Sequence, residues 1–453
     1  MSHTIAAVST GLTVSAIGII RMTGDDCALI AGKVFALNSG KSLADAPNRQ
    51  LVLGTLHDKA GRVIDQCCAI YTRAPHTYTG EDTVEFHCHG SPAVLAAGLE
   101  SLYIAGAAPA KRGEFTKRAF LNGKLDLTQA EAVIDLIEAD TADAAANAAG
   151  QVGGALQKRL RPIYEDLRDL CSHFYAVLDY PDEDIEDFGL ANYEKPLKAD
   201  TKALEAVLKT YGQGKILRHG VAAAIVGRPN VGKSSLLNAL VGYERVIVTE
   251  VAGTTRDTVE ESVMLGSTRL RLIDTAGIRE TEDRIEAMGV ERSKEAIENA
   301  DLVLFVCDGS TPLTEDDRAI IELCVEHEHA IALINKSDVG SKVVPGDLPF
   351  MQVIEISAAT GAGLELLADA VDVMFAGDTP CDGSILTNAR QYDACRRAYE
   401  AMLRALAGLR AQQTPDVVLT DVEQAMEAMG EVIGATVRED ITARIFERFC
   451  VGK

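Results

Sequence analysis

The sequence has 453 residues, 47% of them hydrophobic and 25% charged, a globular balance in a chain long enough for about three domains of ~150 residues. It contains no run of about 18 apolar residues, which argues against a membrane-spanning helix, and its start lacks a basic segment followed by a cleavage site, so it reads as mature sequence. A net charge of −23 is the wrong sign for a chain that coats nucleic acid unaided, because phosphate neutralisation takes Lys and Arg. The first 120 residues escape this acidity, with 11 Lys and Arg against 10 Asp and Glu. They mix short β-branched or aromatic runs (Ile5–Val8, Ile17–Ile20, Val84–His87) with turns marked by Gly and Pro, which predicts a small α+β domain. Within it, His87-Cys88-His89 invites a metal reading, but no second ligand cluster completes a zinc site, and a strand alternating its side chains between two faces explains the pattern. Residues 111–124, KRGEFTKRAFLNGK, carry five positive charges and one negative, and on charge alone they read as a solvated surface stretch.

From about residue 126 the pattern turns helical, with Leu127, Ala130, Val133, Ile134 and Ile137 expected on one buried face. Helical sequence continues to about 215, interrupted at Tyr180-Pro181 and by the acidic run 182–187. Residues 221–375 then alternate apolar runs (222–226, 270–274, 302–306, 330–335 and 353–357) with helical stretches, the rhythm of a parallel sheet with crossover helices. Residues 385–450 return to amphipathic helix, with Tyr392, Cys395, Tyr399, Met402, Leu403 and Leu406 expected on one stripe. The predicted fold is an α/β domain inserted in an α-helical domain and preceded by an α+β domain. Its expected segments are 1–120, 121–218, 219–378 and 379–453. Ten cysteines without regular spacing suggest the reduced thiols of a cytoplasmic protein.

The chemistry concentrates in 227–359. Gly227-Arg-Pro-Asn230-Val231-Gly232-Lys233-Ser234 follows an apolar run and opens a helix, as a phosphate loop must. Its glycines let backbone N–H groups approach phosphates, Lys233 neutralises their oxygens, and Ser234 can ligate Mg2+, with Ser235 next to it. Thr254 and Thr255 lie about twenty residues on, where a switch threonine reaches Mg2+ and the γ-phosphate. Asp274-Thr275-Ala276-Gly277 ends an apolar run, placing Asp274 near the metal and the Gly277 amide near the γ-phosphate. Asn335-Lys336-Ser337-Asp338 ends another, and the Asp338 carboxylate can accept from both N–H donors of the guanine edge, a pair adenine lacks. Ser357-Ala358-Ala359 ends the next and offers a backbone amide to the guanine oxygen. The expected ligand is GTP with Mg2+, which makes the inserted α/β domain an expected Ras-like GTPase domain. Ile278 stands where Ras-like enzymes use a Gln to orient the attacking water, so another group must do so; Glu280, Glu282, Asp283 and Glu286 are the candidates. Asn230 can offer its side-chain oxygen to a monovalent cation.

GIIR (18–21), YTGEDTVEFHCHG (78–90), GEFTKRAFLNGKLDLTQAEAVIDLI (113–137), these nucleotide motifs and the terminal Phe449-Cys450-Val451-Gly452-Lys453 together resemble the MnmE (TrmE) family of tRNA-modification GTPases, from end to end. The resemblance implies a cytoplasmic homodimer paired through N-terminal domains that bind a one-carbon tetrahydrofolate, 5-formyl- or 5,10-methylene-tetrahydrofolate. It implies an FAD-dependent partner, MnmG (GidA), in a heterotetramer or larger assembly. With it, an aminomethyl or carboxymethylaminomethyl group is placed on C5 of the tRNA wobble uridine. The implied folate contacts are Arg21, Glu85, Lys124 and Lys453. The implied potassium site is Asn230 with Thr249, Val251 and Thr254, and K+ and GTP together pair the GTPase domains. Glu286 matches the water-positioning acid, and Cys450 the functionally required cysteine, on a terminal tail expected to be free to reach the folate. A shared tRNA site with the partner gives 111–124 a contributing role. One stretch departs from the family: residues 11–18 read GLTVSAIG where a Pro-Gly-Arg-Gly-Gly-like loop is usual. Ribosome-assembly GTPases of the Era and Der type share the nucleotide motifs and the aliphatic residue after DxxG. They lack the N-terminal segments and the terminal CVGK.

Overall fold

The β-branched and aromatic runs of the first 120 residues build one sheet. The computed structural model describes residues 3–179, 190–243, 261–273, 294, 296–377, 379–436 and 445–452. Among these, strands β1 (Ile5–Val8), β2 (Ser15–Thr23), β3 (Phe35–Leu37), β4 (Leu51–His57), β5 (Val63–Thr72), β6 (Thr83–Gly90) and β7 (Ala108–Pro109) form a seven-stranded sheet in the order β3-β4-β5-β6-β2-β1-β7. The pairings are antiparallel except β1 with β7. Side-chain alternation turns Ile20, Met22, Leu56, Cys67, Val84 and Phe86 into one core. Helices α1 (Cys27–Val34) and α2 (Pro92–Ala105) close it, contributing Ile30, Ala31, Leu95 and Leu102. The β4–β5 hairpin was not expected from the sequence. Gly54 breaks its strand signal, and is needed there because a Cβ would run into Ala36 O and the Phe35 ring of the neighbouring strand.

The chain divides into two compact units: Met1–Ile137 with Ala148–Ala206 and Arg390–Lys453, and Glu138–Asn147 with Val207–Ala389. In the first, the sheet is followed by α3 (Glu114–Leu121), α4 (Leu127–Ile137), α6 (Ala155–Asp179), α7 (Leu190–Leu208), α12 (Ala389–Arg410) and α13 (Pro415–Ile433), with α5 (Ala142–Val152) bridging the division in sequence. Two expected stripes shift. Ile137 is 47% exposed, and the buried face of α4 is Leu127, Ala130, Glu131 and Ile134. Leu403 is exposed, and α12 buries the small residues Ala394, Ala398, Ala401 and Ala405 beside Cys395, Met402 and Leu406. Small side chains let the helices approach closely, a role that a search for large apolar residues passes over.

The buried Glu131 is a structural anchor. Its carboxylate accepts from Arg390 Nε (2.9 Å), Arg390 Nη2 (2.8 Å) and Gln391 Nε2 (2.6 Å), while Arg390 Nη1 donates to Glu431 O (2.8 Å). The two helical stretches far apart in sequence are thereby pinned together. Glu131→Ala strands the Arg390 charge against this seam, and we expect a loss of about 3 kcal/mol, read as an earlier urea transition of the helical part.

In the second unit, α8 (Tyr211–His219) leads into strands β8 (Val221–Val226), β9 (Glu261–Leu265), β10 (Thr268–Ile273), β11 (Leu302–Asp308), β12 (Ala330–Asn335) and β13 (Gln352–Glu355). The described strands order as β13-β12-β11-β8-β10-β9, parallel except for the β9–β10 hairpin. Strands β8 and β11 are buried along their whole length, which is why they read as unbroken apolar runs. Helices α9 (Lys233–Tyr243), α10 (Glu315–Val325) and α11 (Leu364–Met374) complete this part.

Candidate functional site

The phosphate loop joins the end of β8 to the start of α9. Gly227 and Gly232 carry φ of +153° and +100°, and Asn230 stands at +64°. A Cβ on Gly227 would strike Val306 O, and one on Gly232 would strike Asn335 Nδ2, so both glycines are required by neighbours as well as by backbone conformation. Val231 is buried in the sheet core, whereas Asn230, Ser234 and Ser235 are exposed. Lys233 Nζ donates to Gly227 O (2.6 Å) and Arg228 O (2.9 Å), and burial lowers its pKa.

The base-reading segments stand at the ends of β12 and β13, so the carboxyl ends of the parallel strands converge on one place. Asn335 is 2% exposed and ties the pieces together: its Nδ2 donates to Val231 O (2.8 Å) and its Oδ1 accepts from Ala358 N (2.9 Å). Lys336, at φ +65°, donates from Nζ to Asn230 O (3.1 Å) and Asp308 Oδ2 (2.7 Å). Burial works to raise the Asp308 carboxyl, but its bonds from Lys336 and Ser310 prevail and hold it below the usual range. Ser357 Oγ donates to the exposed Asp338 Oδ1 (2.6 Å), steadying the carboxylate expected to read guanine; Ala359 follows, exposed. Asp308 was missed in the sequence, although an acid closing a wholly apolar run is itself a signal. Thr249, Val251, Thr254, Thr255, Asp274, Thr275, Ala276, Gly277 and Glu286, with Ile278, Glu280, Glu282 and Asp283, lie outside the described residues.

On the N-terminal sheet, Arg21 of β2 and Glu85 of β6 are directly paired residues, and their side chains form an ion pair (Nε–Oε1 2.7 Å). The Arg21 guanidinium lies 6.0 Å from the Tyr78 ring centre and 5.9 Å from that of Phe115. Tyr78 and Thr116 hydroxyls are 2.9 Å apart, and burial raises the Tyr78 phenol. Lys124 sits on the turn after α3, its stem against Gly80, and lines a cavity of about 610 Å3 with Asp25, Glu81, Asp82 and Asn122. Arg21 thus approaches the 78–82 loop at Tyr78 and Lys124 approaches it at Gly80, while Glu85 is joined to Arg21 and neither lines the Lys124 cavity.

A family model for the TrmE N-terminus of GTP-binding proteins matches residues 4–124, and one for the MnmE helical domain matches residues 127–450. The chain belongs to the MnmE family. This MnmE-family chain is 42% identical over 463 residues to the tRNA modification GTPase MnmE of Alkaliphilus metalliredigens, and 40% identical over 454 residues to that of Aquifex aeolicus, with 100% of both chains covered in each case. It is also similar to the G domain of the T. maritima FeoB iron transporter, at 28% identity over 35% of this chain and 100% of that one, with a TM-score of 0.26. Membership makes it a GTP-binding, GTP-hydrolysing enzyme. No described helix is long and apolar enough to cross a membrane.

The described part of the terminal segment, Phe449–Gly452, is pinned, not free as expected. Arg112 and Val451 form a β-bridge, Gly113 N donates to Cys450 O (3.3 Å), Arg112 Nε to Phe449 O (2.8 Å), and Ser9 Oγ to Gly452 O (3.0 Å). Phe446 and Phe449 anchor the segment in a small core with Ala130 and Ile134, leaving Cys450 exposed. Lys453 lies outside the described residues. The basic run 111–124 is solvated only in part: Lys111, Arg112 and Lys124 are exposed, whereas Phe115, Thr116 and Ala119 are buried and Arg118 is held by Glu81 (2.9 Å) and Glu114 (2.9 Å). His87-Cys88-His89 alternates as a strand should. Cys88 enters the core beside Cys67, and the exposed His89 ring is 2.7 Å from Asp65 Oδ1. Ligand atoms of Asp65, Cys67 and Cys88 lie within 4.8 Å of one another. The hydrogen bond with Cys88 and burial push the Cys67 thiol up.

Proposed function

We propose that this GTPase, with the FAD-dependent MnmG (GidA), adds an aminomethyl or carboxymethylaminomethyl group to C5 of the tRNA wobble uridine, using a tetrahydrofolate one-carbon unit. The observation that carries the reading is the docking of the terminal segment on Arg112-Gly113, two residues before the Phe115 that lies under Arg21. Folate fits the donor set. Arg21 and Lys124 suit its glutamate carboxylates, and Glu85 suits the N–H edge of the pterin; Lys453 completes the proposed set. Bound folate would supply the one-carbon unit, while these residues orient it. Cells lacking this chain should lose the C5-modified wobble uridine from tRNA and regain it on complementation; unchanged nucleosides would refute the proposal.

The proposed nucleotide set is Asn230 to Ser235, Thr249, Val251, Thr254, Thr255, Asp274 to Gly277, Asn335, Lys336, Asp338 and Ser357 to Ala359, with Ser234 and Thr255 for Mg2+. For K+ it is Asn230, Thr249, Val251 and Thr254. The exposed Asn230 side chain, on a left-handed backbone, supports such a cation site. Cation charge there would do what an arginine finger does elsewhere, and Glu286 would position the water. Turnover should therefore need K+ and fail in Na+, with Asn230→Ala losing the K+ response; equal rates in the two salts would count against the site. Exposed Leu51 and Leu53, on the sheet face away from the core, support pairing of N-terminal domains as a homodimer. We divide the chain at 1–120, 121–218, 219–378 and 379–453 and place it in the cytoplasm. Sharing tRNA with a more basic partner accommodates its net charge of −23.

A further inference from the structure

Arg228 lies inside the phosphate loop, yet its side chain leaves the loop. Its Nε donates to Asp317 Oδ2 (3.1 Å) and its Nη2 to Thr311 Oγ1 (2.9 Å). Asp317 is 1% exposed and belongs to the capping box of α10, where the same Oδ2 accepts from Thr314 N (2.9 Å) and Thr314 Oγ1 (2.7 Å). The buried carboxylate is thus neutralised by a residue of the phosphate loop, and the carbonyl of that residue holds Lys233. A few residues earlier in the same segment, Asp308 holds Lys336, whose ammonium reaches Asn230 O. We infer that residues 308–317 form a bracket that fixes the phosphate loop at two points, with Arg228 and Asp317 as positioning residues for GTP binding.

The physical consequence is specific. Backbone N–H groups bind phosphate only when their directions are fixed beforehand, and an Arg anchored to a capped helix fixes them. Releasing it weakens the ground state and the transition state alike, so KM should rise far more than kcat falls. The pair should also be energetically coupled, since losing Arg228 leaves the buried Asp317 carboxylate without its counter-charge and losing the Asp317 charge leaves the half-buried Arg228 without its own.

The test uses the full-length chain with GDP as the probe. Arg228→Gln and Asp317→Asn should each weaken GDP binding about tenfold, raise the KM for GTP in proportion and change kcat less than threefold. Arg228→Lys should recover part of the affinity. The double variant Arg228→Gln/Asp317→Asn, which removes both charges, should bind no worse than the weaker single variant. Thr311→Val, which removes a neutral arm and leaves the ion pair, gives a folded variant whose binding should fall by a smaller factor. Losses confined to the melting temperature, with GDP affinity and KM unchanged, would overturn the bracket, as would fully additive effects in the double variant.

Discussion

Gly232→Ala should weaken GDP binding by at least two orders of magnitude while Gly242→Ala, ten residues along in the helix that follows the loop, leaves it unchanged. At Gly232 the backbone is at φ +100°, where an L side chain costs about 1–3 kcal/mol. The added methyl would also overlap Asn335 Nδ2, the atom that donates to Val231 O. Asn335 cannot retreat without breaking its other bond, from Ala358 N to Oδ1, so one methyl disturbs the phosphate loop and the guanine loop together. About 2.8 kcal/mol corresponds to a hundredfold in affinity. At Gly242 a Cβ meets nothing within 4 Å, and the helical backbone accepts alanine. Equilibrium fluorescence titration with a GDP analogue measures both; an affinity for Gly232→Ala within threefold of the parent would show that Asn335 is not the coupling residue.

The site's legibility in sequence follows from the same geometry. Wholly buried parallel strands such as β8 and β11 announce themselves as apolar runs, and phosphate chemistry restricts what can follow them, so Gly227–Ser234 and Asn335–Asp338 were readable. The contacts joining those motifs were not. Asp308, Arg228 and Asp317 are charged residues whose partners lie 28 or 89 positions away, and charge pattern along the chain says nothing about such closure. Glu131 hides for the same reason: a carboxylate among the apolar positions of α4 looks like a break in the buried face until Arg390 is brought to it. The basic run 111–124 was legible only in part: its exposed lysines fit a solvated stretch, but its arginines are engaged by Glu81, Glu114 and the Phe449 carbonyl. The expected α/β domain inserted in a helical domain behind an α+β domain was legible from periodicity, whereas the β4–β5 hairpin was obscured by Gly54.

Cys450→Ser should abolish wobble-uridine modification while leaving GTP hydrolysis and folding intact. The thiol is exposed at the end of a segment whose backbone, not its side chain, makes the docking bonds. Serine keeps that backbone and nearly the same volume, and changes the nucleophilicity and acidity of one atom. Docking can be tested apart from the thiol at Gly452, where φ is +98° and a Cβ would collide with Val8 O. Gly452→Val therefore retains Cys450 but cannot seat the tail against β1, and the Ser9–Gly452 bond goes with it. If the thiol acts from a fixed position near the one-carbon unit, both variants lose the modified nucleoside, and Gly452→Val also weakens folate binding. Because placing a reacting group correctly is worth several powers of ten in rate, the undocked thiol should not compensate by chance encounter. Normal nucleoside levels with Cys450→Ser would remove the thiol from the chemistry. Normal levels with Gly452→Val alone would mean that the docked position is dispensable and the thiol reaches its target from elsewhere.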